Sequence, residues 1–379
     1  MKKALQLFLT MEKDLIVGGQ AVVEGVMMRT PSAYAIACRK YDGTIVHKAE
    51  TLPKLSDKYK ILNLPVIRGG ATLVQSMVLG VKALNYSAQI FEENVKAQEE
   101  LVKSEKKSHV EVPAEGTFDE EFTKAPVKIS VPNEEPKAPN KAKQSAGTIG
   151  SIVFALGFNV LLFIVAPLVL TNILFIFVGW AEAPNLAATV GWYEWIKGHI
   201  WEVKPHSWIA FNLVDGLIRM LFFIIMIYTM SYLRDIHRVF QYHGAEHKTV
   251  FTWERGYNLT VKNAQTQPRQ HPRCGTSFLM VVMLVAIVLF SVIKFDALWM
   301  NLVVRILLMP LVAGISYEII RYAAKKESGI VFKLMTKPGL WLQNITTQEP
   351  DDDQLEVAIE ALNRSLELEP DYEMQVAVN

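Results

Sequence analysis

Residues 144–181 contain no Asp, Glu, Lys or Arg, and three more long apolar stretches follow them. An uncharged run of that length exceeds the roughly 20 residues a helix needs to cross about 30 Å of hydrocarbon. Spanning helices are therefore expected at 152–178, with Pro167 as a kink, and at 208–232, 277–293 and 299–322, the last carrying Arg305 and Pro310. A hydrophobic content of 51% agrees, as does a mean hydropathy of +0.20. The expected fold class is mainly α: a polytopic membrane protein with about four transmembrane helices, a small N-terminal β-hairpin region and a cytoplasmic C-terminal helix.

Four regions are expected. In 1–91, residues 15–50 read as β-rich. Strand-like runs at 33–40 and 44–49 are joined through Tyr41-Asp42-Gly43, a hairpin signal, and Gly18-Gly19 and Pro31-Ser32 read as turns. Residues 61–91 are apolar and helix-like, broken near Pro65 and Gly69-Gly70. An amphipathic helix on the membrane or on the hairpin is favoured there over a span. Residues 92–148 are a charged linker too poor in apolar clusters to fold, and are expected to be disordered apart from a short helix at 91–106. Residues 149–345 form the membrane domain, with a polar loop at 233–276. In 346–379, Asp351-Asp352-Asp353 starts a helix with Leu355, Ile359, Leu362 and Leu366 on one face. It looks like one helix of a tetratricopeptide repeat, but without partners it is a packing or docking helix.

Basic residues set the orientation. Lys197 and Lys204 lie between spans one and two; Arg234, Arg238, Lys248, Arg255, Lys262, Arg269 and Arg273 lie between spans two and three. The second loop and both termini are thus expected in the cytoplasm of a cell-membrane protein. The Trp- and Tyr-rich segment 180–207 is expected outside as an interfacial belt. The basic, apolar start resembles a signal sequence, but Glu12, Lys13 and Asp14 follow at once and no small-residue cleavage site appears. A net charge of +1 gives no sign of nucleic-acid binding, and Cys38 and Cys274 are too few for a disulfide framework.

The chemistry concentrates at Tyr242-His243-Gly244-Ala245-Glu246-His247-Lys248. On a helix, His243 and His247 lie one turn apart on one face and can hold one divalent cation, with Glu246 beside them. His-x-x-Glu-His is the order of inverted zinc peptidases, where the Glu is the general base and the metal makes water acidic enough to react near neutral pH. Gly244 weakens the helix assumption by roughly 1 kcal/mol. His271 and Cys274, in His-Pro-Arg-Cys-Gly-Thr, offer two further ligands. Four protein ligands imply a closed structural zinc site, whereas a catalytic site needs one of them to stand aside. The plainer alternatives are surface histidines and a buried thiol.

Other polar residues invite roles. Asp215 and Arg219 share a face of span two and are expected to neutralise each other there. Glu318 and Arg321 cluster at the end of span four, as an outer support for the metal or as an anchor. Gln20, Glu24 and Arg29 line an apolar, glycine-flanked stretch and are candidates to support the site; the lysine of a phosphate loop is missing.

Gly-Gly-Gln-Ala-Val-x-Glu-Gly-Val-Met-Met-Arg at 18–29, Tyr-His-Gly-Ala-Glu-His-Lys at 242–248 and His-Pro-Arg-Cys-Gly-Thr-Ser-Phe at 271–278 resemble the YqhQ-like family. These are bacterial membrane proteins described as predicted metal-dependent enzymes and otherwise a domain of unknown function. The resemblance covers roughly 15–90 and 145–345; it implies an integral membrane protein and supplies no reaction. Two readings stand. One is a zinc-dependent, or other divalent-metal-dependent, hydrolase at the cytoplasmic membrane face, with Glu246 activating water. The other is a non-enzymatic scaffold or assembly factor with a structural metal or none, binding a cytoplasmic protein through the N-terminal region or C-terminal helix. Transport is weaker, because four spans make a small pathway.

Overall fold

The computed structural model describes residues 17–53, 61, 64–108, 154, 157–182, 191–194, 198, 203–293, 298–325 and 330–369. The start of the chain, the linker beyond 108, most of the aromatic segment and the final tail lie outside the described residues.

Among the described residues four helices are long and apolar enough to cross a membrane. They are α2 (Gly157–Phe177), α3 (Trp208–Met230), α6 (Gly275–Val292) and the Val303–Tyr322 part of α7 (Leu298–Lys325). All four coincide with the expected spans. Gly216 of α3 lets Ile287 of α6 approach where a Cβ would sit 2.8 Å from it, the small-residue contact that helices use in lipid. In α2 the turn before Pro167 is π-helical, Leu161–Val165. The Phe163 carbonyl in that turn accepts a hydrogen bond from Arg219, whose Nε also donates to Asp215 at 2.7 Å. The expected Asp215–Arg219 pair is formed.

The rest of the chain builds a polar body. Strands β1 (Gly18–Val22), β2 (Gly25–Arg29), β3 (Ala33–Arg39) and β4 (Ile45–Thr51) form an antiparallel meander. The expected β3–β4 hairpin is present. Gly18-Gly19, expected as a turn, instead lies in a strand. β2 and β3 are apolar on both sides because both sides are covered. Met27, Tyr34, Ile36 and Cys38 pack with Leu79, Ala83 and Ile90 of α1 (Ile67–Ser108). Val26, Met28 and Ala37 pack with Tyr242, Ala245, Leu355, Leu362 and Leu366. Strands buried on both faces lose the period-two alternation that marks a strand in sequence.

Helix α1 runs unbroken through Gly69-Gly70 and past 91, so the helix expected at 91–106 is part of it. The 233–276 segment, expected as a loop, is largely helical: α4 (Arg234–Glu254) and the short α5 (Val261–Gln265). An additional helix, α8 (Ile330–Thr346), precedes the C-terminal α9 (Asp352–Glu367). Asp351 caps α9 in a reciprocal pair with Gln354, and the expected apolar face of α9 is buried against the sheet and α4. That face is already used within the chain, which removes it as a docking surface for another protein.

Candidate metal centre

Helix α4 carries His243, Glu246 and His247 along one side, and Gly244 explains how it lies. A Cβ at Gly244 would stand 2.1 Å from the carbonyl oxygen of Gln348. The strap between α8 and α9 crosses the helix there, and Gln348 N–H donates to the Phe240 carbonyl at 2.9 Å. The glycine's cost in a helix interior is offset by that close approach.

The strap also fixes an imidazole. Nδ1 of His243 lies 2.8 Å from the Thr346 carbonyl, and Nδ1 of His247 contacts the Arg269 carbonyl. A carbonyl oxygen only accepts, so each Nδ1 carries a proton and each ring turns its Nε2 the other way, toward Cys274 in His243 and toward Glu246 in His247. Backbone carbonyls orient metal-ligating histidines in this manner. Cys274 caps α6, its Sγ accepting from Thr276 N–H at 3.4 Å, and stands 3.2 Å from Nε2 of His243. One ligand atom each from His243, His247 and Cys274 lie within 4.8 Å of one another.

Glu246 completes the group. Its Oε2 lies 3.4 Å from Nε2 of His247, and the backbone of Gly19 hydrogen-bonds its carboxylate. A Cβ at Gly19 would meet the Met27 carbonyl at 2.4 Å and Glu246 Cγ at 2.9 Å, so this strand position needs glycine. Burial raises the Glu246 pKa above the ordinary carboxylate value, against the pull of His243 and His271. Burial likewise holds His247 below the usual histidine value and so neutral.

These residues fit a divalent cation. Two imidazoles, a sulfur and a carboxylate converge, and Nε2 of His247 is buried without a hydrogen-bond partner. Leaving such a group unsatisfied costs about 1–3 kcal/mol. A soft sulfur with two imidazoles suits zinc.

Of the four expected ligands, His271 has other partners. Its Nε2 is 3.1 Å from Glu254, its Nδ1 accepts the Arg273 N–H at 3.2 Å, and its ring packs on Phe251. Arg273 joins Glu254 at 2.7 Å. Burial acts to raise the Glu254 pKa, but His271 and Arg273 outweigh it and the net shift is downward. Gln343 clasps the backbone of His271 on both sides, at 2.7 and 2.9 Å. Glu24 reaches α4, bonding Arg238 and Tyr242. The other candidate supports bind elsewhere: Arg29 to Gln75 and Ser76 of α1, Gln20 against Gly80, and Glu318 to Arg68. Arg321 is exposed at the end of α7. Glu254, Gln343 and the Thr346 carbonyl were not anticipated. Glu254 lies two turns beyond His247, and that spacing on an extended helix is the signal that would have found it.

Four apolar helices under a two-sided sheet body, with a His/Cys/Glu cluster where spans two and three meet that body, define a polytopic membrane protein with a polar headpiece. The chain belongs to the family described as "Protein of unknown function (DUF1385)", whose model matches residues 64–368. It is similar to "Uncharacterized protein YqhQ" of Bacillus subtilis (strain 168), at 31% identity over 355 residues, covering 93% of this chain and 92% of that protein. No solved structure matches.

Proposed function

We propose that this chain is a metal-dependent membrane hydrolase whose site opens at the cytoplasmic membrane face. His243, His247 and Cys274 hold one zinc or similar cation, and Glu246 is the general base. The observation that carries the reading is the convergence of ligand atoms from His243, His247 and Cys274 beside a buried carboxylate. His271 stands aside in its bonds to Glu254 and Arg273, which leaves three protein donors and one open position, as in catalytic zinc sites. The bound metal would supply an acidified water and a polarised substrate oxygen. Glu246, kept above its usual pKa by burial, is suited to take up and return a proton at its carboxylate. The Gly19 N–H fixes that carboxylate, and the two backbone carbonyls fix the rings.

A cleft of about 420 Å³ lies alongside, lined by Tyr228, Tyr232, Arg234, His237, Asn344 and Gln348, among others. It opens at the end of span two, and Thr346, which holds His243, lies between two of its lining residues. Tyrosines beside an Arg at a span terminus suit the headgroup region, so substrates that partition into that region are favoured. A second reading rests on the 3.4 Å Glu246–His247 contact, which suits Glu246 as a fourth ligand of a closed, structural site.

Metal analysis of the purified chain tests both. The hydrolase reading expects about one zinc equivalent in the wild type, loss in His243→Ala, His247→Ala and Cys274→Ser, and retention in Glu246→Gln. Loss of metal in Glu246→Gln favours the closed site. Unchanged content in both histidine variants ends the metal reading. Comparative lipidomics of a deletion strain complemented with wild type or Glu246→Gln then seeks the substrate.

A further inference from the structure

We infer that the first turns of α1 are seated inside the bilayer, against span four, as a half-membrane wedge whose outer face is covered by phospholipid acyl chains. Close contacts of three neighbouring residues place its tip. A Cβ at Gly69 would stand 2.9 Å from the Cα of Gly314 and 2.7 Å from the Cβ of Tyr317, a Cβ at Gly70 would stand 3.6 Å from the Pro310 carbonyl, and Val66 packs its backbone on Gly314. All of these partners belong to the Val303–Tyr322 spanning window. At 1.5 Å per residue, Gly314 lies about 12 Å and Pro310 about 18 Å inside the Tyr322 end of that window. The wedge tip thus reaches roughly half of a hydrocarbon layer about 30 Å thick.

The surface pattern agrees. Leu79, Ala83 and Ile90 face the sheet, whereas Ile67, Val74, Val78 and Val81 form a stripe on the opposite side of the helix and are 43–60% exposed. Ile61 and Leu64, just before the helix, are also exposed. The stripe begins at Ile67, between Val66 and Arg68, which meet Gly314 and Glu318, and Leu311, Met309 and Leu307, exposed apolar residues of span four, follow within two turns further in. It therefore continues a lipid-facing surface, at a depth that a water-soluble protein does not reach. The ion pair at the tip follows the same logic. Arg68 bonds both oxygens of Glu318, and Glu318 also accepts the Val66 N–H at 3.3 Å. Charges at membrane depth pair with one another and with backbone. A helix end in lipid also has orphan backbone groups to satisfy, and the Ile67 and Arg68 N–H groups find the Pro65 and Leu64 carbonyls at 2.8 and 3.0 Å. The wedge is independent of the metal centre and of which side of the membrane holds the sheet.

Photo-crosslinking in the full-length chain tests it. Benzoylphenylalanine is placed at Val74, at Val78, at Leu307 as a lipid-facing reference, and at Lys96 as a water-facing one, in nanodiscs of phosphatidylethanolamine and phosphatidylglycerol. Phospholipid adducts at Val74 and Val78 at the Leu307 level, with none at Lys96, are expected. Val74 and Val78 behaving like Lys96, or crosslinking to a second polypeptide, overturns the wedge. A smaller probe guards against disturbed packing: Val74→Cys in the same nanodiscs should react with a charged maleimide at least tenfold more slowly than Lys96→Cys, after subtraction of the parent chain's own thiols. Equal rates overturn the proposal.

Discussion

Two cysteines show how environment divides identical side chains. Cys38 is fully buried on β3, and burial, followed by the charge of Glu24, pushes its thiol up to about 12. Reactivity belongs to the thiolate, so at pH 8 Cys38 should stay silent to maleimide in the folded chain. Cys274 is part-exposed and should label, and pre-incubation with zinc should protect it. Mass mapping of the modified peptides distinguishes the two, and labelling of Cys38 in the native protein would contradict this account of the sheet. Glycines give a second contrast. Gly19→Ala forces a methyl against the Met27 carbonyl and Glu246; overpacking of this kind costs about 1–3 kcal/mol, read as a lower denaturation midpoint together with lower metal content. Gly18→Ala meets nothing within 4 Å and should be near neutral. At this scale the sequence showed the His243–His247 pair, because i,i+4 spacing fixes a shared face. It did not show that Glu254 turns His271 aside, since that depends on where the 255–270 connection returns.

Among elements, the spans were legible because their signal is local: apolar side chains in a window of fixed length. The β1–β2 pair and the continuity of α1 were not. β2 has no alternation to read, and Gly69-Gly70 looks like a break until Gly314, some 245 residues further on, explains it. The Arg68–Glu318 pair separates the same way, each residue ordinary until the two meet. Removing one partner should lower the melting temperature in detergent more than replacing both, as in Arg68→Met with Glu318→Met, because a lone charge in apolar surroundings is worse than none. A double variant less stable than either single one would contradict that. Helix α9 is held mainly by its apolar face, so Leu362→Ala, at a fully buried position, should cost about 2–5 kcal/mol. Asp351→Ala, which removes the cap, should cost about 1 kcal/mol. Both are measured by chemical denaturation of the purified chain.

For the whole molecule, the arrangement of basic residues makes a topological prediction. Reporter fusions at residue 206 should read as external and fusions at 260 as cytoplasmic; the reverse would turn the His243–Cys274 cluster away from the cytoplasm. The body and the membrane helices are not independent blocks, because α1, α4 and α8 each bridge them. That bridging has a consequence for biosynthesis. The imidazole of His243 is aimed by a carbonyl at Thr346, and the sheet closes only when α9 lies down on it. A ribosome must therefore finish nearly the entire chain before residues 243–274 have their final partners. A product stopped short of Thr346 would enter the membrane with all four spans yet leave that ring unaimed. Completion of the polypeptide is thus a checkpoint for assembly of the centre, written into the order of the chain.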